Sequence, residues 1–427
     1  MTIQDIHNLF LICHNVSIDT RKIVKNVIFF AIKGENFDAN TFAKEAIDLG
    51  AKYVIIDNPN YYIDERTILV KDSLKALQEL AKFHRKYLDI PILALTGSNG
   101  KTTTKELIYE VLKQKYNTKA TIGNFNNHIG VPLTLLSFTR ETEIGIIEMG
   151  ANHQKEIEFL CDIAQPDYGY ITNFGKAHLE GFGGIEGVIK GKSEMYTYLE
   201  SGSKIVFVNL DDPIQNEKTT SFNRITFSQL NKEATVYIES VKANPFVKVE
   251  VENTEIKSNL IGLYNANNIN TAITIGLHFG VVLSDIKNAI ERYIPENNRS
   301  QILIKHTNKI ILDAYNANPS SVIVALENFL QLQDENKVVI LGDMYELGKD
   351  SLTEHKFIVD FLAENANFDC HFVGSDFFAN RFQKENLFFY ETFHEFSDQL
   401  SLLNFENNTI LIKGSRGMSL ERTLNYL

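Results

Sequence analysis

The sequence predicts an α/β protein of three domains, in which short strands and longer helices alternate along the chain. Three observations support this prediction. The 427 residues exceed the roughly 250–300 that a single hydrophobic core can serve. Apolar, β-branched runs of strand length alternate with amphipathic stretches, which is typical of largely parallel sheets covered by helices. One of these strands also runs through a glycine-rich turn directly into a helix.

The first predicted domain spans residues 1–86. Its strands are predicted at Asn26–Lys33 and Tyr53–Ile56, where β-branched and aromatic residues cluster. A helix at Thr41–Gly50 between them is expected to end at its glycine. A longer helix is predicted at Ser73–Leu88, because its apolar residues recur at helical spacing and a proline follows closely. The first domain boundary is placed at this helix.

The second predicted domain spans residues 87–295 and the third spans residues 296–427. A polar, turn-rich segment at Ile294–Arg299 separates them. The second is expected to hold a largely parallel sheet, and the third to be a smaller doubly wound, Rossmann-like domain. The predicted strands are Ile92–Leu95, Ile144–Ile147, Tyr168–Thr172, Lys204–Val208, a β-rich stretch at 221–260, and then Ile310–Leu312, Val338–Leu341, His371–Val373 and Thr409–Ile412.

Charge and composition exclude several classes of function. The formal net charge of −12 argues against a general affinity for nucleic acid or anionic membranes, whose binding proteins are basic. Cys13, Cys161 and Cys370 form no CxxC pair, so a disulfide framework or a structural zinc site is not expected. No apolar run approaches the ~20 residues that span a bilayer, and no signal peptide is visible. We expect a cytoplasmic monomer.

The glycine-rich turn at Leu95–Thr104 is predicted to bind phosphate. Between a strand and a helix, successive backbone N–H groups and the helix N-terminus form an anion cradle. Lys101 can place its charge at the β- and γ-phosphates, and the Thr102 hydroxyl can bind Mg²⁺. Two residues, instead of the common four, separate Gly97 from the Gly-Lys-Thr. The alternative is a simple strand–helix turn with an incidental lysine. The predicted ATP-binding residues of this loop are Gly97, Ser98, Asn99, Gly100, Lys101, Thr102 and Thr103.

Three further residues are candidates for a metal site. Glu148 ends a buried-type strand, and ligands of open α/β sheets bind at strand carboxyl ends. A carboxylate there suits a hard cation; the alternative is a strand-end glutamate that caps the next helix. His178 follows the next strand, where a lone histidine is more often a surface or hydrogen-bonding residue. Lys192 taken alone would be an ordinary solvated helix lysine.

Thr96–Thr103, Glu148–Ala151 and His178–Gly183 followed by Lys192 resemble the Mur ligase family in order and spacing. The resemblance implies an ATP-dependent ligase with a central ATP-binding domain and two Mg²⁺ ions. It implies that Lys192 is carbamylated and so becomes an anionic ligand. The catalytic residues that it implies are Lys101, Glu148, His178 and Lys192, and the metal ligands are Thr102, Glu148, His178 and the carbamate of Lys192.

The resemblance extends over essentially the whole chain. Ser17–Arg21 and Phe30–Asp38 resemble the N-terminal segment with which this family holds a UDP group, which implies a UDP-binding first domain. Arg21 and Lys33 can meet a pyrophosphate, and Gly34 permits close backbone approach; a turn with solvated charges is the alternative. The implied substrate-binding residues are Ser17, Thr20, Arg21, Lys33 and Gly34, followed by Asn124, Asn126 and Asn127 in an amide-rich loop and by Asn316 and Asn318.

Gly262–Asn268 resembles the adenine-side motif of the family, although Tyr264 stands where a histidine is frequent. That difference leaves the role of position 264 open, whereas the Asn268 amide can read a purine edge. Arg299 and Asp313 match an arginine near the phosphates and an aspartate near the ribose.

Asp313–Pro319, Leu341–Gly348, His355 and Lys413–Arg416 resemble the family members that add D-alanyl-D-alanine, and the Asp-Asn-Pro-Arg expected of the preceding ligase is absent. The resemblance therefore implies that D-alanyl-D-alanine is joined to UDP-N-acetylmuramoyl-tripeptide through an acyl phosphate, in peptidoglycan precursor synthesis. Whether the third tripeptide residue is diaminopimelate or lysine stays open. The rival hypotheses are a folylpolyglutamate synthase and a phosphate-loop switch or motor.

Overall fold

The computed structural model describes residues 1–13, 15–296, 298–400, 403 and 405–427. Within them the chain forms four sheets, of four, seven, three and six strands in chain order. The predicted α/β class with largely parallel sheets is confirmed, since only the three-stranded sheet and one edge pair are antiparallel. No described helix has both the length and the apolar character that crossing a membrane requires.

The N-terminal sheet is parallel throughout, in the order β1-β2-β3-β4. Residues alternate between its two faces: Phe30 packs towards the centre of the molecule, and Phe29 packs towards a smaller core on the other side. The elements are α1 (Ile3–Cys13), β1 (Val16–Ser17), β2 (Ile28–Phe30), α2 (Ala43–Asp48), β3 (Tyr53–Ile56), β4 (Thr67–Leu69) and α3 (Ser73–Leu88).

Two predictions for this region need correction. The strand predicted at Asn26–Lys33 is confined to β2, because Lys33 instead forms an isolated antiparallel bridge with Asp38. The helix predicted at Thr41–Gly50 is α-helical only at Ala43–Asp48, and a 3-10 turn at Ala39–Phe42 precedes it. The Asp38 carboxylate accepts a hydrogen bond from the Asn40 backbone N–H and so starts that turn early.

The seven-stranded sheet is parallel, in the order β11-β10-β9-β8-β5-β7-β6. Chain order reverses at β5, which lies between β7 and β8, and such switch points are where open α/β sheets bind ligands. The region comprises β5 (Ile92–Thr96), α4 (Lys101–Leu112), β6 (Thr118–Ala120), α5 (Gly130–Leu136), β7 (Ile144–Glu148), α6 (Glu156–Ala164), β8 (Tyr168–Ile171), α7 (Leu179–Phe182), α8 (Ile185–Ser201), β9 (Ile205–Asn209), α9 (Pro213–Lys218), β10 (Asn223–Ser228), β11 (Val236–Tyr237), β12 (Ser240–Ala243), β13 (Phe246–Val251), β14 (Thr254–Ile261), α10 (Ala266–His278) and α11 (Leu283–Arg292).

The C-terminal sheet has the order β15-β16-β20-β17-β18-β19, with only β15 antiparallel to its neighbour. Alternating residues of its central strands enter two separate cores, as Ile340 and Leu341 do, so both faces are covered as a doubly wound fold requires. The elements are β15 (Gln301–Lys305), β16 (Asn308–Asp313), α12 (Pro319–Gln331), β17 (Lys337–Gly342), α13 (Ser351–Asn365), β18 (Asp369–Val373), α14 (Ser375–Ala379), β19 (Leu387–Tyr390), α15 (Phe393–Leu400) and β20 (Thr409–Lys413).

Helix α3 joins the N-terminal sheet to the middle of the molecule. Its residues Leu77 and Leu80 are fully buried in the same core as Leu135 of α5, and α3 also packs against α6. The three cysteines are all buried, one in each third of the chain: Cys13 in α1, Cys161 in α6 and Cys370 in β18.

Candidate functional site

The predicted phosphate loop occupies residues 97–100, between the end of β5 and the start of α4. Gly97 has a φ of +141° and Gly100 a φ of +78°, and both values favour glycine. A Cβ on Gly97 would overlap the Thr172 hydroxyl, and one on Gly100 would lie 2.7 Å from Asn268 Oδ1. Both glycines are therefore required by backbone conformation and by close neighbours.

The segment that follows β8 braces this loop. The Asn99 backbone N–H donates to Asn173 Oδ1 at 3.0 Å, and the Thr172 hydroxyl donates to the Asn99 carbonyl oxygen at 2.6 Å. Lys101 folds over the loop, with Nζ donating to the Gly97 oxygen at 2.7 Å. Burial lowers the pKa of Lys101, while Glu148 opposes the shift. A cationic side chain is thus held beside an anion cradle.

Glu148 ends β7 with only 1% of its surface exposed. Its Oε1 accepts a hydrogen bond of 2.9 Å from Asn126 Nδ2. Its Oε2 is buried and has no partner among the described residues. An unpaired buried carboxylate oxygen is costly, and a cation would satisfy it.

The described residues contain no ready-made cluster of three His, Cys, Asp or Glu side chains for a metal. Magnesium does not need one, because it keeps several waters and binds through one or two carboxylates plus the phosphates of a substrate. Glu148 and the Thr102 hydroxyl on the phosphate loop both line the same cleft. This donor set fits Mg²⁺ held jointly with a nucleotide.

His178 immediately precedes α7 and has a left-handed backbone, with a φ of +54°. Its Nδ1 meets a carboxylate oxygen of Glu346 from the loop after β17. Two residues earlier, Lys176 Nζ donates to Glu354 Oε1 of α13 at 2.5 Å. The loop that carries His178 is therefore tied to the C-terminal sheet and its helices at two points.

Lys192 of α8 is buried, with 1% exposure, contrary to the solvated lysine that its sequence context alone suggests. Its Nζ donates to the Ala151 carbonyl oxygen at 3.1 Å and lies 5.1 Å from the centre of the Phe182 ring. Burial lowers the pKa of Lys192 well below its ordinary value, and the nearby charge of Lys101 adds to this. Across the described chain, no ion pair compensates this ammonium.

The C-terminal region contributes the opposite wall. The Arg299 guanidinium stacks 3.5 Å from the centre of the Tyr315 ring. Asp313 accepts hydrogen bonds from the Ser300 backbone N–H at 3.1 Å and from Lys413 Nζ at 2.6 Å. These contacts fix a cation and a carboxylate on the rim beside the phosphate loop.

Two amides connect the regions more directly. Asn318 caps α12, and its Nδ2 donates to Asn99 Oδ1 of the phosphate loop at 2.7 Å. Asn268 accepts from the Thr104 hydroxyl at 3.0 Å and donates to Asn265 Oδ1 at 2.8 Å, so it holds α10 against α4.

Together these residues surround one cleft of about 1520 Å³. The structure therefore brings together predicted residues from positions 98 to 318. Lys192 lies behind the wall formed by Ala151. The predicted residues that line the cleft are Ser98, Asn99, Gly100, Lys101, Thr102, Thr103, Asn124, Asn126, Asn127, Glu148, His178, Asn268, Arg299, Asp313, Asn316 and Asn318.

The predicted UDP-binding residues do not line this cleft. Ser17 and Thr20 flank Asp19, whose carboxylate caps the 3-10 turn at Thr20–Lys22. Arg21 is exposed and forms a two-point ion pair with that carboxylate. Its charge is therefore already partnered. Lys33 and Gly34 lie in a separate turn closed by the bridge from Lys33 to Asp38 and by the Gly34 N–H to the Phe37 oxygen.

Sequence reasoning missed Asn173 and Glu346 as site residues. Asn173 carried a usable signal, since it follows a buried strand next to the one that feeds the phosphate loop. Glu346 lies within the Leu341–Gly348 motif, but a single sequence does not reveal its contact with His178, which is 168 residues away.

Three protein-family models match consecutive parts of the chain. They are "Mur ligase family, catalytic domain" at 12–85, "Mur ligase middle domain" at 95–276 and "Mur ligase, glutamate ligase domain" at 298–416. A Bacillus subtilis protein, UDP-N-acetylmuramoyl-tripeptide–D-alanyl-D-alanine ligase, is 32% identical over 97% of this chain and 93% of its own. The chain belongs to the Mur ligase family.

Solved structures of other family members resemble this Mur ligase over nearly its full length. The crystal structure of MurF from Acinetobacter baumannii has a TM-score of 0.87 at 29% identity and covers 99% of this chain and 98% of its own. MurF from Thermotoga maritima, solved in complex with ADP, has a TM-score of 0.85 at 25% identity and covers 97% of both chains. The family that the sequence motifs resemble is thereby confirmed.

Proposed function

We propose that this Mur ligase joins D-alanyl-D-alanine to the terminal carboxylate of UDP-N-acetylmuramoyl-tripeptide, using ATP, as a cytoplasmic monomer in peptidoglycan precursor synthesis. The observation that carries the proposal is the contact of Asn318 with Asn99. It sets the Asp313–Pro319 motif, typical of D-alanyl-D-alanine addition, against the phosphate loop. Relatives that bear this activity in their names match almost the entire chain.

ATP is proposed to bind along the cleft from the phosphate loop to the C-terminal wall. The loop N–H groups and the α4 N-terminus would hold the phosphates, with Lys101 against the β- and γ-phosphates. Arg299 faces the same space with a second positive charge, and Asp313 would accept from the ribose. The Asn268 amide is proposed to read the adenine edge, in exchange for its present contact with Thr104.

The proposed reaction has two steps. The tripeptide carboxylate attacks the γ-phosphorus, the bond to the β-phosphate oxygen breaks, and ADP leaves with an acyl phosphate formed. The amine of D-alanyl-D-alanine then attacks the acyl carbon, the bond from that carbon to the phosphate oxygen breaks, phosphate leaves with the former carboxylate oxygen, and the amine loses a proton. Such transfers depend mainly on positioning and on neutralising charge, which Lys101 and Arg299 supply.

Mg²⁺ is proposed to bind at Thr102, Glu148 and His178, with Lys192 as a carbamate completing the set. When bound, it would neutralise phosphate charge and polarise the phosphoryl oxygens. The unpaired Glu148 Oε2 supports a cation there. Asn126 positions the Glu148 carboxylate through Oε1 and so leaves the second oxygen available.

Carbamylation of Lys192 is supported by its surroundings. Only an uncharged amine can add CO₂, and the burial of Lys192 without an ion-pair partner among the described residues favours that form, while the charges of Glu156 and Glu194 oppose it. The product is an anion bearing oxygen ligands, which suits a hard cation.

The substrate's UDP group is proposed to bind at residues 1–86, through Ser17, Thr20, Arg21, Lys33 and Gly34, with residues 87–295 and 296–427 as the other two domains. Arg21 would exchange its Asp19 partner for a phosphate. The muramoyl peptide would then run past Asn124, Asn126 and Asn127 to the cleft, where Asn316 and Asn318 would meet the incoming dipeptide.

Phosphate release tests this proposal. The enzyme is assayed with ATP, Mg²⁺ and UDP-muramoyl tripeptide, with and without D-alanyl-D-alanine. Sustained release is expected only when all components are present. Equal release from ATP alone would point instead to a phosphate-loop switch or motor.

A further inference from the structure

The loop between β17 and α13, residues 343–350, contains a motif that the proposed chemistry leaves without a role. Its Glu346 has a left-handed backbone, with a φ of +63°, a conformation that glutamate rarely adopts. Its contact partner His178 also has a left-handed backbone. Both side chains are therefore aimed at each other by uncommon conformations, one from each side of the cleft.

The loop is held in this shape by its neighbours. The buried Asp343 carboxylate accepts from the Phe377 backbone N–H at 3.0 Å. The Met344 N–H donates to His355 Nε2 at 2.9 Å, and the Tyr345 N–H donates to the Ser415 hydroxyl at 2.8 Å. Each residue that precedes Glu346 in this loop is therefore anchored to a different element, which preorganises the Glu346 side chain.

The backbones of the two loops also meet. The Glu180 N–H donates to the Glu346 carbonyl oxygen at 3.2 Å. A Cβ on Gly348 would lie 3.1 Å from the Glu180 Cβ, so the loops approach closely there. The contact between Glu346 and His178 is thus one part of a fitted interface.

We propose that Glu346 is a positioning residue for His178, which it orients across the interface between the middle and C-terminal regions. The Glu346 carboxylate accepts the Nδ1 proton of the imidazole and thereby fixes that tautomer. Nε2 then carries the lone pair and remains for a ligand in the cleft that His178 lines. Carboxylates that receive the distal N–H of a histidine commonly orient it in this way. The inference rests on the proposed role of His178.

A matched pair of variants tests the proposal. Glu346→Gln removes the carboxylate that meets His178, while Glu354→Gln removes the neighbouring ion pair with Lys176 at the same interface. Glu346→Gln is expected to lower kcat by about tenfold or more, with KM for ATP within about twofold. Glu354→Gln is expected to keep kcat within about twofold. An equal loss in both variants, or none in Glu346→Gln, would overturn the proposal.

A second readout does not depend on turnover. ¹⁵N NMR reports the tautomer of the His178 imidazole, whose signals are assigned by their loss in His178→Gln. The sample is the full-length protein with a non-hydrolysable ATP analogue and tripeptide, without Mg²⁺. The Nδ1–H form is expected in the wild type and in Glu354→Gln, and a mixture in Glu346→Gln. Identical spectra in all three would refute the positioning role. Full turnover by His178→Ala would instead refute the proposed role of His178 itself.

Discussion

Lys101 is the residue on which nucleotide binding most depends. Lys101→Ala removes the cation beside the phosphates and two hydrogen bonds to loop carbonyls. We expect kcat/KM to fall by about 100- to 1,000-fold, with a loss of stability of only about 1 kcal/mol. Coupled phosphate release and a thermal melt measure both quantities. Lys113→Ala, at the far end of α4, is the control, and normal turnover of Lys101→Ala would end the phosphate-loop hypothesis.

Lys192 allows a sharper test of charge. Lys192→Ala should lower kcat by about 100-fold or more, and a short carboxylic acid in the assay should restore part of the activity by filling the vacated space. Lys192→Arg should not restore activity, because arginine stays cationic and does not form the carbamate. Lys190→Ala, an exposed lysine on the same helix, is the control. Wild-type turnover of Lys192→Arg would make Lys192 an ordinary structural lysine.

For single residues, the sequence predicts which side chains face the cleft, but it does not predict which other residues they contact. Glu148 was predictable because a parallel strand delivers its last residue to the ligand edge of the sheet. The burial of Lys192 was not, because it depends on the packing of α8 against the Ala151 segment. The Tyr264 hydroxyl forms a hydrogen bond of 2.9 Å with the Ser300 hydroxyl. The sequence gave no reason to expect this contact, because it showed only that Tyr264 stands where the family often has a histidine.

Among the elements, strand β18 carries a buried histidine, His371, that lowers the stability of the folded protein at low pH. Burial lowers the pKa of His371 to about 4, and its Nε2 has no partner among the described residues. Its ring stacks on Phe388 at 5.0 Å. The folded protein keeps His371 neutral, while the unfolded chain takes up a proton below its ordinary pKa. Stability from this group is complete above pH 6.5 and is lost as the pH falls towards 4.

His371→Phe should therefore be less sensitive to acid than the wild type. The loss avoided at pH 5 is roughly 2 kcal/mol, and the phenyl ring can keep the stack. Melting temperatures at pH 7.5 and 5.0 measure the difference, with the exposed His394→Gln as the control. An unchanged difference between the two pH values would contradict the assigned cause.

Elements with a clear local signal were predicted to the residue. Helix α3 has the predicted bounds, because the Asp72 carboxylate caps it through the Lys75 N–H and Asp89 ends it in a left-handed conformation. Helix α1 was overlooked although a signal existed: Thr2 and Asp5 exchange hydrogen bonds as a capping box does. The strand at β2 was predicted too long, because the apolar run continues to Ile32, whereas the strand ends at Phe30 and Lys33 pairs back with Asp38.

On the scale of the whole molecule, the cleft is closed by contacts that cross it. Asn318 Nδ2 donates to Asn99 Oδ1, and the Lys176 backbone N–H donates to the Ser320 hydroxyl, so both contacts join the middle region to the C-terminal region. Such long-range pairs could not be read from one sequence, whereas the α/β class could, because it depends on local periodicity.

We expect the free enzyme to open and ligands to close it. In small-angle X-ray scattering, a non-hydrolysable ATP analogue with tripeptide should reduce the radius of gyration towards the roughly 22 Å of a compact chain of this length. Lys101→Ala at the same ligand concentrations is the control and should stay expanded. Superimposable profiles of wild type with and without saturating ligand would count against closure.

Because one cysteine is buried in each third of the chain, the reactivity of the native thiols reports where the structure unfolds locally. Burial raises the pKa of all three thiols, so reactive thiolate is scarce in the folded protein. An alkylating reagent in rising urea would mark Cys13, Cys161 and Cys370 in the order in which their surroundings unfold. A single cysteine introduced on the surface would conversely take a fluorescent dye without removal of any native residue.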